Sequence, residues 1–275
     1  MDGILVVITG PTSGIGKEIA MGLGTLGAEL VLACRDLRAG EQTKAEITHR
    51  TRAKHVVVMP IDTSSQQSIR DFARQYRAKY SRFDVLINNA GLNRGTRQLS
   101  ADGIELTFAT NVLGYFLLTH ELLDLLKASA PARIVNVAST FASDLDLDDL
   151  QWEKRSYDGM KAYAQSKACD RLFTWALVRH IEGSGVTANA LAPGLVPNTG
   201  LFRDVAASAR QMLIRMSQRS AAQGADTAIW LASSPEVEGI NGKFFEEREE
   251  IPCEFRNQAT EEKLWGSCAR LVGLD

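Results

Sequence analysis

The sequence predicts an α/β fold class: a single doubly wound, Rossmann-type domain with a parallel sheet of about seven strands. Two observations predict it. Short apolar, β-branched runs recur with helix-length segments between them, and the first run ends in a glycine-rich turn that leads into a helix. A strand that is apolar on both faces belongs in a sheet covered by helices on both sides, because neither face then meets water.

Taken in order, the strand candidates are 4–8, 30–33, 56–61, 85–87, 134–137, 186–191 and 243–245. The first is followed by Thr9-Gly10-Pro11-Thr12-Ser13-Gly14-Ile15-Gly16 and then by a helix over 17–26. The later runs are equally short and lie between polar or glycine-containing stretches, as buried parallel strands do. Two segments are irregular: 144–159, acidic and then aromatic, and 194–223, which follows the sixth strand. Both come after strand ends, the side of an open α/β sheet where ligands bind. No repeat, low-complexity tract or Pro/Gly/Ser linker divides the chain. Residues 1–275 therefore read as one domain, with a substrate-loop region at about 194–223 and a C-terminal extension at about 246–275.

Composition narrows the function classes. With 45% hydrophobic and 23% charged residues, the chain can bury a sizeable core and is too apolar for disorder. The net charge of -2 comes from interspersed acids and bases, without the basic stripe that binding to a nucleic-acid backbone requires. Cys34, Cys169, Cys253 and Cys268 are far apart and the histidines are scattered, which argues against a disulfide framework or a metal site and for a reducing, cytoplasmic compartment. No apolar stretch reaches the roughly 18 residues of a membrane span, and 4–8 is too short for a signal peptide. The expected partner is a small molecule; whether the chain forms a homo-oligomer stays open.

The turn over 9–16 carries the first chemistry. Glycine there permits a tight bend and lets backbone N–H groups approach a pyrophosphate at the positive end of the following helix. Gly10, Thr12, Ser13, Gly14 and Ile15 are the candidate dinucleotide contacts, against the bland alternative of a connection that binds nothing. The choice between cofactors is read at the end of the second strand, where a carboxylate takes the ribose 2′-hydroxyl of NAD and a cation takes the 2′-phosphate of NADP. Here the sequence runs Ala33-Cys34-Arg35-Asp36, with Cys34 where the NAD-type acid belongs and Arg35 beside it, so NADP(H) is expected. Asp36 folding back onto a ribose hydroxyl is the competing arrangement.

The stretch from Thr9 to Gly16, then Asp62, Asn88-Asn89-Ala90-Gly91, Asn111, Ser139, Tyr163-Ala164-Gln165-Ser166-Lys167 and Pro193-Gly194, stand in the order and context of the short-chain dehydrogenase/reductase family, which the sequence resembles over essentially its whole length. The residue types suit the chemistry. A tyrosine has an unperturbed pKa of about 10 and needs cationic help to exchange protons near neutrality. Lys167, four residues on along a helix, shares a face with Tyr163 at roughly 5–6 Å, and its charge, with that of a nicotinamide cation, favours the phenolate. Ser139, at the end of the fifth strand, can hydrogen-bond a substrate oxygen.

The resemblance implies further roles. Asn111 would lie in a kinked helix with a water linking Lys167 to solvent, and Asp62, with Thr63 beside it, would reach the adenine. Capping of a helix that starts near Ser65 is the structural alternative for Asp62. Asn89, Ala90 and Gly91 would lie nearer the cofactor than Asn88, and Pro193, Gly194 and Val196 would lie near the nicotinamide. Asn198 falls where a threonine usually contacts the carboxamide and Thr199 comes one residue late, so that contact stays open between the two. In reduction, hydride would pass from the nicotinamide to the carbonyl carbon while Tyr163 protonates the oxygen. Tyr157 and Lys161 are also four apart, but Gly159 between them weakens the helix that would hold the spacing. Ser166 before Lys167 matches the family pattern, whereas Met160 does not. Trp175, Trp230 and Trp265 are expected to fill core or surface grooves, and Trp152 alone lies in a segment that can reach a substrate.

Leu32-Ala33-Cys34-Arg35-Asp36, the segment Asp149-Leu150-Gln151-Trp152-Glu153 and the tail around Phe244-Phe245, Leu264-Trp265 and Leu271-Val272-Gly273-Leu274 look like the retinol dehydrogenase branch. That likeness implies an NADP(H)-dependent oxidoreductase interconverting a carbonyl and an alcohol, a ketoreductase for a bulky lipophilic or polycyclic, retinoid-like substrate. The run Thr199-Gly200-Leu201-Phe202-Arg203-Asp204 resembles protochlorophyllide reductases instead, though the chain is short for that family. A dinucleotide sensor or scaffold without turnover is the reading from another class, and the presence of Asn111, Ser139, Tyr163 and Lys167 together argues against it. The stretch 195–223 mixes apolar residues with Gly200, Arg203, Arg210 and Arg215, and predicts an amphipathic flap with Leu201, Phe202, Val205, Leu213 or Met216 turned inward over the substrate.

Overall fold

A computed structural model describes the backbone of residues 1–197, 199–202 and 207–274, and the side chains of these except 202 and 207–210. In chain order the first half contains β1 (Leu5–Thr9), α1 (Gly14–Thr25), β2 (Glu29–Cys34), α2 (Leu37–Arg50), β3 (Val56–Pro60), α3 (Gln66–Lys79) and β4 (Val85–Asn88). Next come α4 (Leu106–Phe108), a π-helical turn (Ala109–Leu113), α5 (Gly114–Ala128), β5 (Ala132–Val137), α6 (Gly159–His180) and β6 (Val186–Ala192). The chain ends with α7 (Ala207–Met216), α8 (Ala221–Ser233), β7 (Phe244–Glu246), β8 (Glu249–Glu250) and α9 (Gln258–Val272).

The strands form one sheet in the order β3-β2-β1-β4-β5-β6-β7-β8, parallel from β3 to β7, with β8 antiparallel to β7. This is the doubly wound α/β fold, with one strand more than the sequence predicts, because β8 is a pair of glutamates paired only through its backbone. Side-chain alternation divides the core in two. Leu5 and Val7 of β1 face a layer formed by α3, α5, α6 and α9, while Val6 and Ile8 face a layer formed by α1, α2 and α8. All four are buried, so β1 meets no water on either side.

Local signals place the helix ends. Asp36, Ser65, Asp158 and Asn257 accept backbone N–H bonds at the starts of α2, α3, α6 and α9, and Ser220 with Gln223 forms a full capping box on α8. Helix α1 begins at Gly14, three residues before the predicted start, because left-handed conformations at Gly10 and Gly14 complete the bend early. Helix α6 is unusual in being enclosed: every residue from Ala162 to Leu177 is buried between the sheet and α9. The C-terminal segment is bound to the body of the fold. Gln66 Nε2 and Arg70 Nη2 donate to the carbonyls of Leu271 and Val272, and Trp265 stacks on His180 with ring centroids 3.9 Å apart. No helix among the described residues is long and apolar enough to cross a membrane.

Candidate active site

The strand order reverses between β1 and β4, and the crevice at such a reversal is where open α/β sheets bind ligands. A cleft of about 300 Å³ opens there, at the carboxyl ends of the strands. Its floor is the glycine turn. A Cβ at Gly16 would collide with the Gly10 carbonyl, and one at Gly10 would come within 3.0 Å of Ala90 Cα, so both positions are limited to glycine by close backbone approach. Asn89 fixes that approach: its N–H reaches Thr9 Oγ1 at 2.9 Å and its Nδ2 donates to the carbonyls of Thr9 and Gly10. Asn88 instead faces inward, bonding Thr119 and Asn136 in a buried polar chain that ends at Thr174.

Gly10, Thr12, Ser13, Gly14, Ile15, Arg35, Asp62, Thr63, Asn89, Ala90, Gly91, Tyr163, Lys167 and Pro193 all line this one cleft. The residues present fit a dinucleotide. Unlike α2, α3, α6, α8 and α9, α1 has no cap bond from its N-cap residue Ser13 and no acid in its first turn, so its N-terminal N–H groups stay available to an anion. A Cβ at Gly91 would lie 3.5 Å from Asn111 Oδ1, an ordinary contact. Arg35 stands on the rim with two-thirds of its side chain exposed and its Nη1 3.9 Å from Asp62 Oδ2. Asp36 Oδ1 is engaged by Ala39 N–H as the cap of α2. Asp62 does not cap α3, a task that falls to Ser65; its Oδ1 accepts from the N–H and hydroxyl of Ser64. Burial pushes the Cys34 thiol up to about 11, with Asp36 and Glu41 adding to the effect, so no thiolate forms beside the cleft.

Tyr163 and Lys167 lie one turn apart on α6, with Lys167 Nζ 5.8 Å from the Tyr163 ring centroid. The ammonium donates to Val137 O at 2.9 Å and to Asp170 Oδ2 at 2.7 Å. Burial pulls Lys167 down, but Asp170 and the neighbouring Tyr115 and Tyr163 outweigh it, and the lysine titrates above its ordinary range. Burial raises the Tyr163 phenol; Lys167 opposes this, Asp170 reinforces it, and a side-chain hydrogen bond with Ser139 lowers it. Among the protein's own groups, burial on a wholly enclosed helix outweighs the lowering by Lys167, to which a nicotinamide cation would add.

Ser139 lies outside the cleft lining, half-buried at the end of β5, its Oγ accepting from Phe141 N–H at 3.0 Å. Arg171 holds the Ser139 carbonyl through Nε at 3.1 Å and also through Nη2. Asn111 sits in the π-helical turn, fully buried, with Oδ1 accepting from Leu92 N–H and Nδ2 donating to Leu92 O and Ser166 Oγ. It therefore staples the segment after β4 to α6 and does not face the cleft. Gly194 and Val196 also lie outside the lining, packed against Arg219 and Gly224. Thr199 lines the cleft, its methyl against Gly14, while Asn198 lies outside the described residues.

Tyr157 stands apart from this group. It precedes the first residue of α6, so it shares no helical turn with Lys161, and its hydroxyl donates to Glu105 Oε1 at 3.0 Å. Trp152 is buried, edge-on to Tyr157 and under the Arg155 guanidinium, and does not line the cleft. Of the predicted flap, Leu201 lines the cleft and Leu213 is half-buried, but Met216 is 65% exposed, together with Met212 at 63%. Val205, Arg203 and the side chains of Phe202 and Arg210 lie outside what the structure describes. Sequence reasoning missed Asp170 and Arg171. Their signal was two opposite charges inside an otherwise apolar helical run.

Comparison with known proteins identifies the family. The sequence matches the short chain dehydrogenase family over residues 5–210. It is 39% identical to human retinol dehydrogenase 13 over 283 residues, covering 99% of this chain and 86% of that one, and 38% identical to mouse retinol dehydrogenase 12 over 276 residues, covering 99% and 87%. A solved structure of a Mycobacterium paratuberculosis protein aligns with a TM-score of 0.78 at 30% identity, over 99% of this chain and 94% of that one. A Pseudomonas aeruginosa RhlG/NADP complex aligns at 0.71 and 25% identity, over 89% and 94%. This chain is thus an oxidoreductase of the short chain dehydrogenase family, and along its whole length it resembles retinol dehydrogenases.

Proposed function

We propose that the chain is an NADP(H)-dependent oxidoreductase that interconverts a carbonyl and an alcohol, acting as a ketoreductase on a bulky lipophilic substrate. The observation that carries this reading is the placement of Tyr163 and Lys167 in the same cleft as the glycine turn and Arg35. A nicotinamide dinucleotide, when bound, supplies or accepts the hydride. Gly10, Thr12, Ser13, Gly14 and Ile15 would hold its pyrophosphate, Asp62 and Thr63 its adenine end, and Asn89, Ala90, Gly91, Pro193, Gly194 and Val196 the remainder, with Arg35 on a 2′-phosphate. Capping by Asp36 supports NADP over NAD, since the competing acid is already in use.

The protein groups then divide the work. Tyr163 gives its phenolic proton to the carbonyl oxygen, and the Ser139 hydroxyl holds that oxygen beside the phenol. Lys167 has three N–H donors, of which Val137 and Asp170 take two, leaving one for the cleft it lines. Asn111 acts as a positioning residue through Leu92 and Ser166. Phe141, half exposed with its ring 6.4 Å from that of Tyr163 and 19° from parallel, offers an apolar face to a flat substrate. The likeness to retinol dehydrogenases supports the lipophilic class.

The test is oxidation of NADPH across a panel of retinoids and of aromatic and polycyclic ketones and aldehydes. Turnover lost in Tyr163→Phe, with NADPH binding retained, is the expected result. Binding of NADPH without turnover of any carbonyl would favour a sensor or scaffold instead.

A further inference from the structure

Helix α6 carries a second buried cation, which the mechanism above does not use. Tyr163, Lys167 and Arg171 stand at steps of four residues, so Arg171 continues the stripe of the tyrosine–lysine turn further along the helix. It is 4% exposed and forms no ion pair among the described residues, the adjacent Asp170 being paired with Lys167. Its donors converge elsewhere. Nε donates to Ser139 O at 3.1 Å and Nη2 donates to the same oxygen, while Nη1 reaches Cys253 Sγ at 3.8 Å. The guanidinium carbon lies 4.2 Å from the centroid of the Phe244 ring and 5.5 Å from that of Phe255. Burying a guanidinium without a carboxylate is unfavourable, so the reason for its position lies in what it holds.

We propose that Arg171 is a positioning residue for the reaction: by gripping the Ser139 carbonyl through two donors it fixes the backbone of that serine and so aims its hydroxyl at Tyr163 and the substrate oxygen. The proposal rests on the reading of Ser139 and Tyr163 given above. Ser139 needs such a hold. β5 ends at Val137, Ala138 N–H still reaches Leu191 O of β6, and from Ala138 to Asp146 the chain is in neither helix nor strand. The Ser139 hydroxyl itself meets only neighbours that share its uncertainty of position or take part in the chemistry: Phe141 N–H, two residues on in the same loop, and the Tyr163 phenol. Arg171 ties the serine's backbone to the helix that carries Tyr163, so the placement of hydroxyl against phenol is set from one enclosed element. Lys167 does the same for Val137 O, and the two cations together grip the chain on either side of Ala138. A guanidinium suits the task because its planar fork brings two N–H groups to one oxygen with a rigidity that an ammonium lacks. Displacement of a reacting group by about 1 Å can cost about 100-fold in rate, so a hold of this kind acts on kcat.

The experiment is a double-mutant cycle between Arg171 and Ser139, read in kcat for reduction by NADPH of whichever carbonyl of the panel above wild type turns over fastest, and in the dissociation constant of NADPH. Arg171→Met keeps the reach of the side chain and its packing on Phe244 but removes the donors. It should lower kcat about ten- to hundredfold and leave NADPH binding within about twofold of wild type. Arg171→Lys, which keeps the charge without the fork, should recover part of the loss. In a Ser139→Ala background Arg171→Met should cost less than about twofold, because groups that act as a unit do not add. A merely structural role would lower kcat by the same factor whether or not the serine hydroxyl is present. That outcome overturns the proposal, and so does an unchanged kcat in Arg171→Met. If Arg171→Met does not fold, Arg171→Lys completes the same cycle and is judged in the same way. A fully active Ser139→Ala, or a wild type that reduces no carbonyl of the panel, overturns the site reading and this proposal together, whereas an impaired Ser139→Ala with additive losses overturns this proposal alone.

Discussion

Arg35 and Asp36 are adjacent, oppositely charged and both on the rim of the cleft, yet they do different work. The aspartate is spent on the first turn of α2, while the guanidinium stands largely in solvent with a long contact to Asp62. A charge-assisted bond to a phosphate contributes about 1.5–3 kcal/mol, so Arg35→Ala should weaken NADPH roughly ten- to hundredfold and leave NADH nearly unchanged. Dissociation constants by fluorescence titration check this. Tyr157 tests the other tyrosine. Its hydroxyl supports Glu105, whose carboxylate also accepts the N–H groups of Thr107 and Phe108, so Tyr157→Phe should cost about 1 kcal/mol in urea unfolding and leave kcat near wild type. At this scale Tyr163 and Lys167 were legible because helical spacing and chemistry point the same way. Asp170 was not, because a lysine and an aspartate three apart ordinarily describe a solvated helix face, and only enclosure of α6 on all sides makes the pair part of the site.

The strands were legible as elements wherever both faces are apolar: 4–8 and 186–191 correspond to β1 and β6 within a residue. β8 escaped because nothing in Glu249-Glu250 carries a pattern; its strand character comes from the backbone of β7. The segment after β6 was legible only as an irregular stretch. Within it α7 turns Met212, Ile214 and Met216 to solvent; of these only Met216 was expected to face inward, whereas Leu213 is half-buried. An apolar face of that kind should gain cover when a lipophilic substrate fills the cleft beside Leu201. Amide exchange over Ala207–Met216 should therefore slow mainly in the ternary complex with NADPH and a product analogue. Slow exchange in the free protein, unchanged by ligand, would remove the flap. The π-helical turn at Ala109–Leu113 poses a related choice, since one residue fewer would restore regular helix and rotate Asn111 away from Leu92.

For the molecule as a whole, the two-layer core and the direction of the sheet follow from composition and alternation, whereas the position of the C-terminal segment does not. α9 is held by contacts far apart in sequence: Glu261 and Glu262 meet Arg179, and Trp265 fits among Phe116, Phe173 and His180. Those partners lie on α5 and α6, so the tail covers the outer side of the helix that carries Tyr163 and Lys167. The consequence is one of failure modes. Many enzymes lose activity on mild heating before their fold gives way, because the working groups sit on loops that loosen first. Here the proposed proton-transferring residues ride on a helix buried from Ala162 to Leu177 and packed against α9, so opening it would also strip α9 from the core. Activity after brief heating and far-ultraviolet dichroism should consequently fall along one curve, and heat, urea or removal of the tail should leave either a competent enzyme or an unfolded chain with little in between.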